Sequence, residues 1–405
     1  MKRYWFSILL VIFILGSVGT YYVTAAARSF PEYKLLTVSG DDNEAKSLVL
    51  QGESKDYGSL EINAKGSLYF QEKSFFDSFR ENEMFKYSPD LQQMLKDHRN
   101  FMRGKKTYNG FYQDGQVLAY ADIKGGNDLN NRNYRLSVTV LDLKNNDKIS
   151  FTASIPKQEK YNWISTSDVQ VKGQTMTVIT YNLKKASGNQ QNTPGQEIHS
   201  YTIDLNKKSI AEDRVLLADK RLADGRIVTY NFIQSSQTSE SSELLVYQQV
   251  TQKFAKDKEG NEVVESSEQA ILTYDLASGK TDAVPAFTSQ SNSNSTSSQN
   301  AQFYVSGDSI IELASGGAGT NVEIYSTSDR SVRSFEIPYL PTSNVVVYGD
   351  RLYMATPDGD TTKVIIADLK QGKVVFVGAV DINEQGNKHT ELLKKLQIQW
   401  LYLDK

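Results

Sequence analysis

The sequence has no cysteine and few histidines, and neither sign of charge prevails in it. Its 405 residues include three histidines, 8 prolines, 45 basic and 48 acidic residues, which give a net charge of −3. The lack of cysteine excludes disulfides, thiolate zinc sites, iron–sulfur clusters, cysteine nucleophiles and a lipid-modified cysteine anchor. Because the charge is nearly balanced, no chain-wide positive field exists to attract nucleic acid. We therefore expect no nucleic acid partner and no metal site.

Long apolar runs are scarce, and the most prominent one is at the N-terminus. No charged side chain occurs from Tyr4 to Ala27, and a helix from Trp5 to Ala27 is about 34 Å long, enough for a bilayer core of about 30 Å. Lys2 and Arg3 place the N-terminus in the cytoplasm. Residues 1–27 are therefore predicted to be a signal-anchor that crosses the cell membrane once and leaves the bulk of the chain extracytoplasmic. The predicted membrane contacts are Trp5, Leu9, Leu10, Ile12, Phe13, Ile14, Tyr21 and Tyr22. Ala25-Ala26-Ala27 also fits a cleavage site, so cleaved secretion is the alternative.

The rest of the chain repeats one β pattern. A Gly-Asp or Asp-Gly turn precedes a strand, and a second strand ends in Asp-Leu before a short Lys-bearing turn. The Asp-Leu strands are Leu136–Leu143, His199–Leu205, Ile271–Leu276 and Val364–Leu369, with a degenerate copy at Val322–Thr327. The strands before them are Asp114–Tyr120, Gly173–Ile179, Asp224–Tyr230, Gly307–Leu313 and Gly349–Met354. Their spacing brackets the 40 to 50 residues of a four-stranded propeller blade, lengthened where loops are inserted.

This pattern resembles the broad β-propeller superfamily, with Gly349–Gly359 and Lys363–Lys373 as the clearest example. The resemblance implies an all-β, six- or seven-bladed propeller and no particular activity or subfamily. We assign residues 28–33 to a linker and 34–405 to the propeller, which the strand Ile398–Leu403 is expected to close by joining strands near Lys34–Gln51. Two stacked β-sandwiches are the alternative fold.

Two segments interrupt the β pattern. Residues 74–103 are predicted to be a helical insertion, with Ser88 as N-cap and Pro89 in the first turn. Its apolar stripe has a helical period and consists of Leu91, Met94, Leu95, His98, Phe101 and Met102. One hypothesis is that the insertion packs on the propeller as a lid. The other is that its apolar side chains bind a partner, with Phe75, Phe76, Phe79 and Phe85 as the candidates. Residues 288–300 are Ser- and Asn-rich, which predicts a flexible loop.

The sequence offers no catalytic residues and no cofactor. It lacks the Gly-x-Ser-x-Gly, His-Glu-x-x-His, Walker and EF-hand patterns. The histidines His98, His199 and His389 lie in unlike contexts. Acidic turns such as Pro357–Asp360 are oxygen-rich enough for Ca²⁺, but Asp and Asn are also the ordinary turn residues. Two catalytic carboxylates from different blades would meet in the central funnel, so the spacing of residues in the sequence does not reveal such a pair.

These observations favour a non-catalytic, membrane-anchored propeller of a Gram-positive cell envelope that binds an envelope protein or a cell-surface ligand. An extracytoplasmic glycan hydrolase or lyase is the first alternative, and an accessory subunit of a transporter or sensor kinase is the second. Two or three carboxylates converging in the funnel favour an enzyme, whereas a funnel without them favours a binding protein.

Overall fold

The computed structural model describes residues 5, 9–16, 30–73, 85–126, 133–185, 195–233, 235, 242, 244–287, 289–292, 301–317, 319–340 and 345–404. Within them the strands are β1 (Tyr33–Gly40), β2 (Leu48–Ser54), β3 (Gly58–Asn63), β4 (Gly66–Tyr69), β5 (Phe111–Gln113), β6 (Val117–Lys124), β7 (Arg135–Asp142), β8 (Lys148–Ser154), β9 (Tyr161–Lys172), β10 (Thr175–Lys184), β11 (Gln196–Asp204), β12 (Ser209–Ala218), β13 (Lys220–Arg221), β14 (Ile227–Ile233), β15 (Leu244–Lys256), β16 (Glu262–Asp275), β17 (Thr281–Ala283), β18 (Ser289–Asn292), β19 (Gln302–Ser306), β20 (Ser309–Gly316), β21 (Gly319–Ser326), β22 (Val332–Ile337), β23 (Val345–Tyr348), β24 (Arg351–Asp358), β25 (Thr361–Asp368), β26 (Lys373–Ile382) and β27 (Leu396–Leu403). The α-helices are α1 (Pro89–Asp97), α2 (Arg99–Met102) and α3 (Asn387–Lys394), and short 3-10 helices cover Asp42–Ala45, Phe70–Glu72, Tyr108–Gly110, Gln158–Lys160 and Pro285–Phe287.

The described strands form six antiparallel sheets, which we number as blades. Blade 1 has the order β27-β2-β3-β4, blade 2 β5-β6-β7-β8 and blade 3 β9-β10-β11-β12. Blade 4 is β13-β14-β15-β16-β17 with β18 beside β16, blade 5 is β19-β20-β21-β22, and blade 6 is β23-β24-β25-β26-β1. The innermost long strands are β27, β5, β9, β14, β19 and β23, since neighbouring members of this set contact one another along β5–β9 and along β14–β19–β23–β27. In blade 4 the two-residue β13 also pairs with the beginning of β14. The expected all-β propeller is confirmed, and of the two predicted blade numbers the described residues give six.

Separate hydrophobic clusters join five of the six pairs of neighbouring blades. Clusters of buried side chains lie between blades 2 and 3, 3 and 4, 4 and 5, 5 and 6, and 6 and 1. A blade covered on both sides has strands without polar alternation, as in Val364–Ala367 of β25, where every residue is buried. Burial between blades therefore replaces the disulfides that the chain lacks.

The helical insertion separates blade 1 from blade 2. Its side chains Phe85, Leu91 and Met94 belong to one cluster with Phe111 of blade 2. On its other side, the Gln92 amide donates a hydrogen bond to the Leu403 carbonyl of blade 1 at 2.9 Å. The described part of the insertion is thus a wedge between two blades, which agrees more closely with packing on the propeller than with a free surface.

The predicted start of the insertion helix is confirmed, but its length is not. The Ser88 side chain accepts a hydrogen bond from the Leu91 amide, and Pro89 occupies the first turn. The helix ends at Asp97 because His98 leaves helical geometry, with φ −128° and ψ 45°, and the short helix α2 follows. Residues 74–84 lie outside the described residues.

Both ends of the chain close the ring. The last strand β27 pairs with β2, from Leu48 opposite Leu403 to Ser54 opposite Leu396, as the sequence predicted. The first strand β1 pairs with β26 on the outside of blade 6. We call the side of the ring where β1 begins the N-terminal face. Because the blades repeat one strand order, this face also carries the connections that lead into each innermost strand and the turns between second and third strands.

On the opposite face of the ring, the Asp-Leu motif forms the turn that connects the third strand of a blade to the fourth. The Asp142 carboxylate accepts hydrogen bonds from the Lys144 and Asn145 amides at 2.8 and 3.0 Å, and these bonds lower its pKa. The next amide, that of Leu143, donates to the Gln116 carbonyl in the turn between the first two strands. The same contact recurs from Leu205 to Gln174 and from Leu369 to Asp350. The repeated residues are therefore turn residues that join two turns within a blade.

One expected strand assignment is wrong, and one predicted loop contains a short strand, while the flexibility of that loop stays a prediction. The segment Asp224–Tyr230 was expected to be the strand that precedes an Asp-Leu strand, but β14 is innermost and β15 lies between it and β16. Within the predicted flexible loop 288–300, residues 289–292 form β18, which pairs with β16, because the unusually long β16 leaves an unpaired edge beyond the short β17. The residues 288 and 293–300 lie outside the described residues.

Candidate functional site

The predicted membrane contacts are partly described. Residues 9–16 are helical, and Trp5, Leu9, Leu10, Ile12, Phe13 and Ile14 are all exposed. Tyr21 and Tyr22 lie outside the described residues. In the part of the chain that the structure describes, no helix is long and apolar enough to cross a membrane.

Of the four predicted binding phenylalanines, only Phe85 is described. Its side chain is 1% exposed and packs edge-on against Phe111, with ring centroids 5.4 Å apart. Phe85 therefore contributes to the core between the insertion and blade 2, where no partner can reach it. Phe75, Phe76 and Phe79 lie outside the described residues, so partner binding by them stays a prediction.

The innermost strands contain almost no acidic groups. Across β5, β9, β14, β19, β23 and β27, all of which are described, the single carboxylate is Asp168 of β9. Asp168 is half-buried, and its Oδ2 accepts a hydrogen bond from the Gln170 amide at 2.9 Å. Burial raises the pKa of Asp168 to about 6 despite that bond. One carboxylate of this kind is able to exchange a proton near neutral pH, but no second one accompanies it on these strands.

A buried polar cluster lies in blade 3. His199 Nδ1 is 2.6 Å from Asp213 Oδ1, and its Nε2 is 3.0 Å from the Tyr161 hydroxyl and 3.2 Å from Glu197 Oε2. Burial raises the pKa of Tyr161 above its usual range. Burial acts to raise the pKa of Glu197 too, but hydrogen bonds from Lys184 and Tyr161 lower it overall.

The His199 cluster has the residue types of a catalytic relay but not the access. The His199 side chain is 3% exposed, and the two carboxylates are 13% exposed. The other histidines are far from it in the fold, with His98 in the insertion and His389 on α3 beside Asp381. Among the described residues, no group of three or more His, Asp and Glu is placed to hold a metal ion. We conclude that the cluster fastens the strands of blade 3.

An open groove lies on the N-terminal face between blades 6 and 1. Its volume is about 710 Å³. It is lined by Pro357, Gly359, Asp360, Thr361, Thr362, Leu393, Lys394, Leu396, Gln397, Ile398, Gln399 and Trp400. The two charged residues, Asp360 and Lys394, are 3.5 Å apart and form an ion pair. Trp400 is 53% exposed, which is unusual for the largest apolar side chain.

A β-bulge exposes Trp400. Trp400 pairs with Gln51 and Ile398 pairs with Gly52, so Gln399 has no partner residue on β2. Such an extra residue changes the side to which the following side chains point. Gly52 permits the close approach, because a Cβ at this position lies 2.9 Å from the Gln397 carbonyl oxygen and 3.0 Å from Ile398 Cδ1.

The groove and its tryptophan were not among the sequence-based candidates, which included only the Trp at position 5. The available signal was the C-terminal strand itself, where apolar and polar residues alternate from Leu396 to Trp400 and where Leu401 then follows Trp400 with no polar residue between them. A second exposed tryptophan, Trp163, is on the innermost strand β9 and is also 53% exposed. Both tryptophans of the ring are therefore on innermost strands and face solvent.

Comparison with known proteins gives weak likenesses. No family model and no curated protein matches the chain. An acylaminoacyl peptidase in complex with a chloromethyl ketone has 10% identity and a TM-score of 0.35, over 66% of this chain and 38% of that chain, so the match spans well under half of the peptidase. The β-propeller domain of the trilobed protease from Pyrococcus furiosus has 11% identity and a TM-score of 0.33, over 68% of this chain and 77% of that chain. An uncharacterized protein from Listeria monocytogenes has 13% identity and a TM-score of 0.28, over 67% of this chain and 83% of that chain.

Likenesses of this size carry no argument about activity, so the assignment depends on the molecule itself. Six described sheets follow one another around the ring, innermost strands contact along β5–β9 and along β14–β19–β23–β27, and both ends of the chain pair with the opposite end. The chain therefore has the fold of a β-propeller, with no subfamily assigned.

Proposed function

We propose that this protein is a non-catalytic propeller, anchored in the cell membrane by residues 1–27, that binds an envelope protein or a cell-surface ligand outside the cytoplasm. The observation that carries the proposal is the lone carboxylate on the innermost strands. Glycoside hydrolysis ordinarily requires two carboxylates that flank the scissile bond. The innermost strands offer Asp168 alone, together with exposed aromatic and amide side chains that suit binding.

The anchor is supported by the sequence and by the exposure of its described residues. An uncharged stretch from Tyr4 to Ala27 follows two basic residues. The described apolar side chains within it are exposed, and a membrane would bury them.

A second candidate function is an extracytoplasmic glycan hydrolase or lyase. The observation in its favour is the raised pKa of Asp168, because a carboxyl that titrates near pH 6 on an innermost strand is a typical general acid or base. A partner carboxylate from a connecting loop is needed to complete such a site.

One experiment separates the two functions. The full chain, purified in detergent, is incubated with soluble cell-wall polysaccharide and with neutral oligosaccharides, and both binding and product formation are followed from pH 4 to pH 8. The proposal predicts binding without product. Turnover with a pH profile that disappears in Asp168→Asn, while the variant stays folded, establishes the enzyme and refutes the proposal.

A further inference from the structure

The groove beside Trp400 has a chemistry that selects among ligands. The indole is a flat apolar surface, and Gln397 on the same strand carries an amide that both donates and accepts hydrogen bonds. The Gln399 amide group donates to Glu53 Oε2 at 2.9 Å, which leaves its carbonyl oxygen and its second N–H for a ligand. On the other wall, Thr362 adds a hydroxyl group, and the Thr361 hydroxyl, which donates to the Val380 carbonyl, adds an acceptor. Such a mixture suits a pyranose, because one face of the sugar ring presents C–H groups and its rim presents hydroxyls that both donate and accept.

The charges of the groove argue against an ionic ligand. Asp360 and Lys394 are the charged residues among those that line it, and they form an ion pair at 3.5 Å. Beside the groove, the exposed Glu53 carboxylate accepts a hydrogen bond from the lining residue Gln399 at 2.9 Å. An anionic ligand therefore finds no unpaired positive charge there, and a cation finds one exposed carboxylate, whose attraction is weak in water. Either ion also loses part of its hydration on entering. The groove therefore suits a neutral ligand.

The groove also lies beside the point where the chain enters the propeller. The Tyr33 hydroxyl donates a hydrogen bond to the Leu392 carbonyl at 3.1 Å, and the next residue, Leu393, lines the groove. Phe30 and Pro31 already pack against blade 1 of the propeller. The Phe30 ring stacks on Tyr69 with 4.6 Å between centroids, and the Tyr69 hydroxyl donates a hydrogen bond to the Pro31 carbonyl.

The distance from anchor to propeller is short. This step depends on the proposed function, because it takes Ala27 as the end of the membrane segment. Only Arg28 and Ser29 lie between Ala27 and Phe30, so the fully extended chain reaches about 11 Å. The N-terminal face must then lie close to the membrane surface, with the groove opening toward it.

We infer that the groove around Trp400 is a binding site for a neutral glycan presented at the surface of the membrane in which the protein is anchored. The sugar ring stacks on the indole, and its hydroxyl groups pair with the amides of Gln397 and Gln399. Gly52 is a positioning residue, because it lets the bulged strand approach and so sets the direction of Trp400.

The binding test uses the full chain in lipid nanodiscs. The probes are cellotetraose, maltotetraose and chitotetraose, with a neutral octapeptide for comparison, and binding is measured by saturation-transfer NMR and calorimetry. We expect at least one glycan to bind, Trp400→Ala to weaken it about tenfold or more, and the matched control Trp163→Ala to change it less than about twofold. No glycan binding at about 10 mM, or equal binding by Trp400→Ala, overturns the inference. Peptide binding that depends on Trp400, without glycan binding, also overturns it and assigns the groove to a protein ligand.

A second arm tests the orientation separately from the anchor. Because the chain has no cysteine, a single label is introduced by Glu259→Cys in the turn after β15 on the N-terminal face, or by Asn145→Cys in a turn of the opposite face. Energy transfer to a dye in the bilayer is expected to be stronger from position 259. If the protein floats with vesicles in a density gradient but energy transfer is equal from positions 259 and 145, the orientation alone is refuted. If the protein does not float with vesicles, the membrane anchor of the proposed function is refuted. Glycan turnover refutes the non-catalytic function but not the site.

Discussion

Asp168→Asn is expected to stabilise the protein at neutral pH. Burial on β9 raises the pKa of Asp168 to about 6 from the ordinary 3.8. The difference of about 2 corresponds to about 3 kcal/mol at about 1.36 kcal/mol per pKa unit, and this is the cost of ionising the group in the folded protein at pH 7 and above. Asparagine has no charge to bury, and its carbonyl still accepts the hydrogen bond from Gln170.

The sign of the pH dependence follows from the raised pKa. Between pH 3.8 and about 6 the folded protein holds the proton of Asp168 more tightly than the unfolded chain, so this group makes the wild type less stable as the pH rises. The advantage of Asp168→Asn should therefore grow from less than about 1 kcal/mol at pH 4 to about 3 kcal/mol at pH 7.5. Asp219 and Glu312, whose pKa values burial also raises, are present in both proteins and cancel in the difference.

The assay is urea denaturation of the full chain in detergent, followed by tryptophan fluorescence at several pH values. Asp168→Glu is the control, because it keeps the charge and should show no gain at pH 7.5. An Asp168→Asn variant that is less stable than wild type at pH 7.5, or whose advantage does not change with pH, refutes the argument that burial destabilises the ionised carboxylate.

Two further substitutions test the packing of blades 3 and 1. His199→Ala should cost about 3 kcal/mol in unfolding free energy, because it removes the buried imidazole that pairs with the half-buried Asp213 carboxylate. His389→Ala, at a surface pair, should cost less than about 1 kcal/mol. Equal losses in urea midpoints contradict this assignment. Gly52→Ala should lower the unfolding free energy by about 1–3 kcal/mol and weaken glycan binding, since the added Cβ lies 2.9 Å from a β27 carbonyl oxygen. Gly115→Ala, with open space around its Cβ, should change neither the stability nor the glycan binding. Unchanged binding by a folded Gly52→Ala variant shows that Gly52 does not position the site.

The sequence predicted those parts of the fold that depend on local chemistry. Asp142 and its equivalents have side chains that accept hydrogen bonds from amides two and three residues ahead, so a turn can be recognised wherever this residue occurs. The helix start at Ser88 and Pro89 was predicted for the same reason. Pairing of β27 with β2 was expected because a ring of sheets with free edges is open to aggregation.

The parts that were missed depend on long-range packing. The helix breaks at His98, and the two short helices on either side of the break both pack against blade 2. The apolar stripe continues through the break, so the sequence pattern did not reveal it. Phe85 is a large apolar residue in an insertion, which is typical of a binding residue, but its burial depends on packing against Phe111 of blade 2. The exposure of Trp400 depends on a bulge that is set by register with Gln51 and Gly52, more than 340 residues earlier. None of these partners is adjacent in sequence.

The pairing of the last strand with blade 1 has a consequence for the order in which the protein can fold. β27 is the innermost strand of blade 1 but is synthesised after every other described strand, ending at Leu403. During synthesis, β2 therefore has an unpaired edge until β27 is available. Blades 2 to 5 have all their strands earlier, so the ring is completed in a single late step. A chain that stops before β27 is an open arc with an exposed strand.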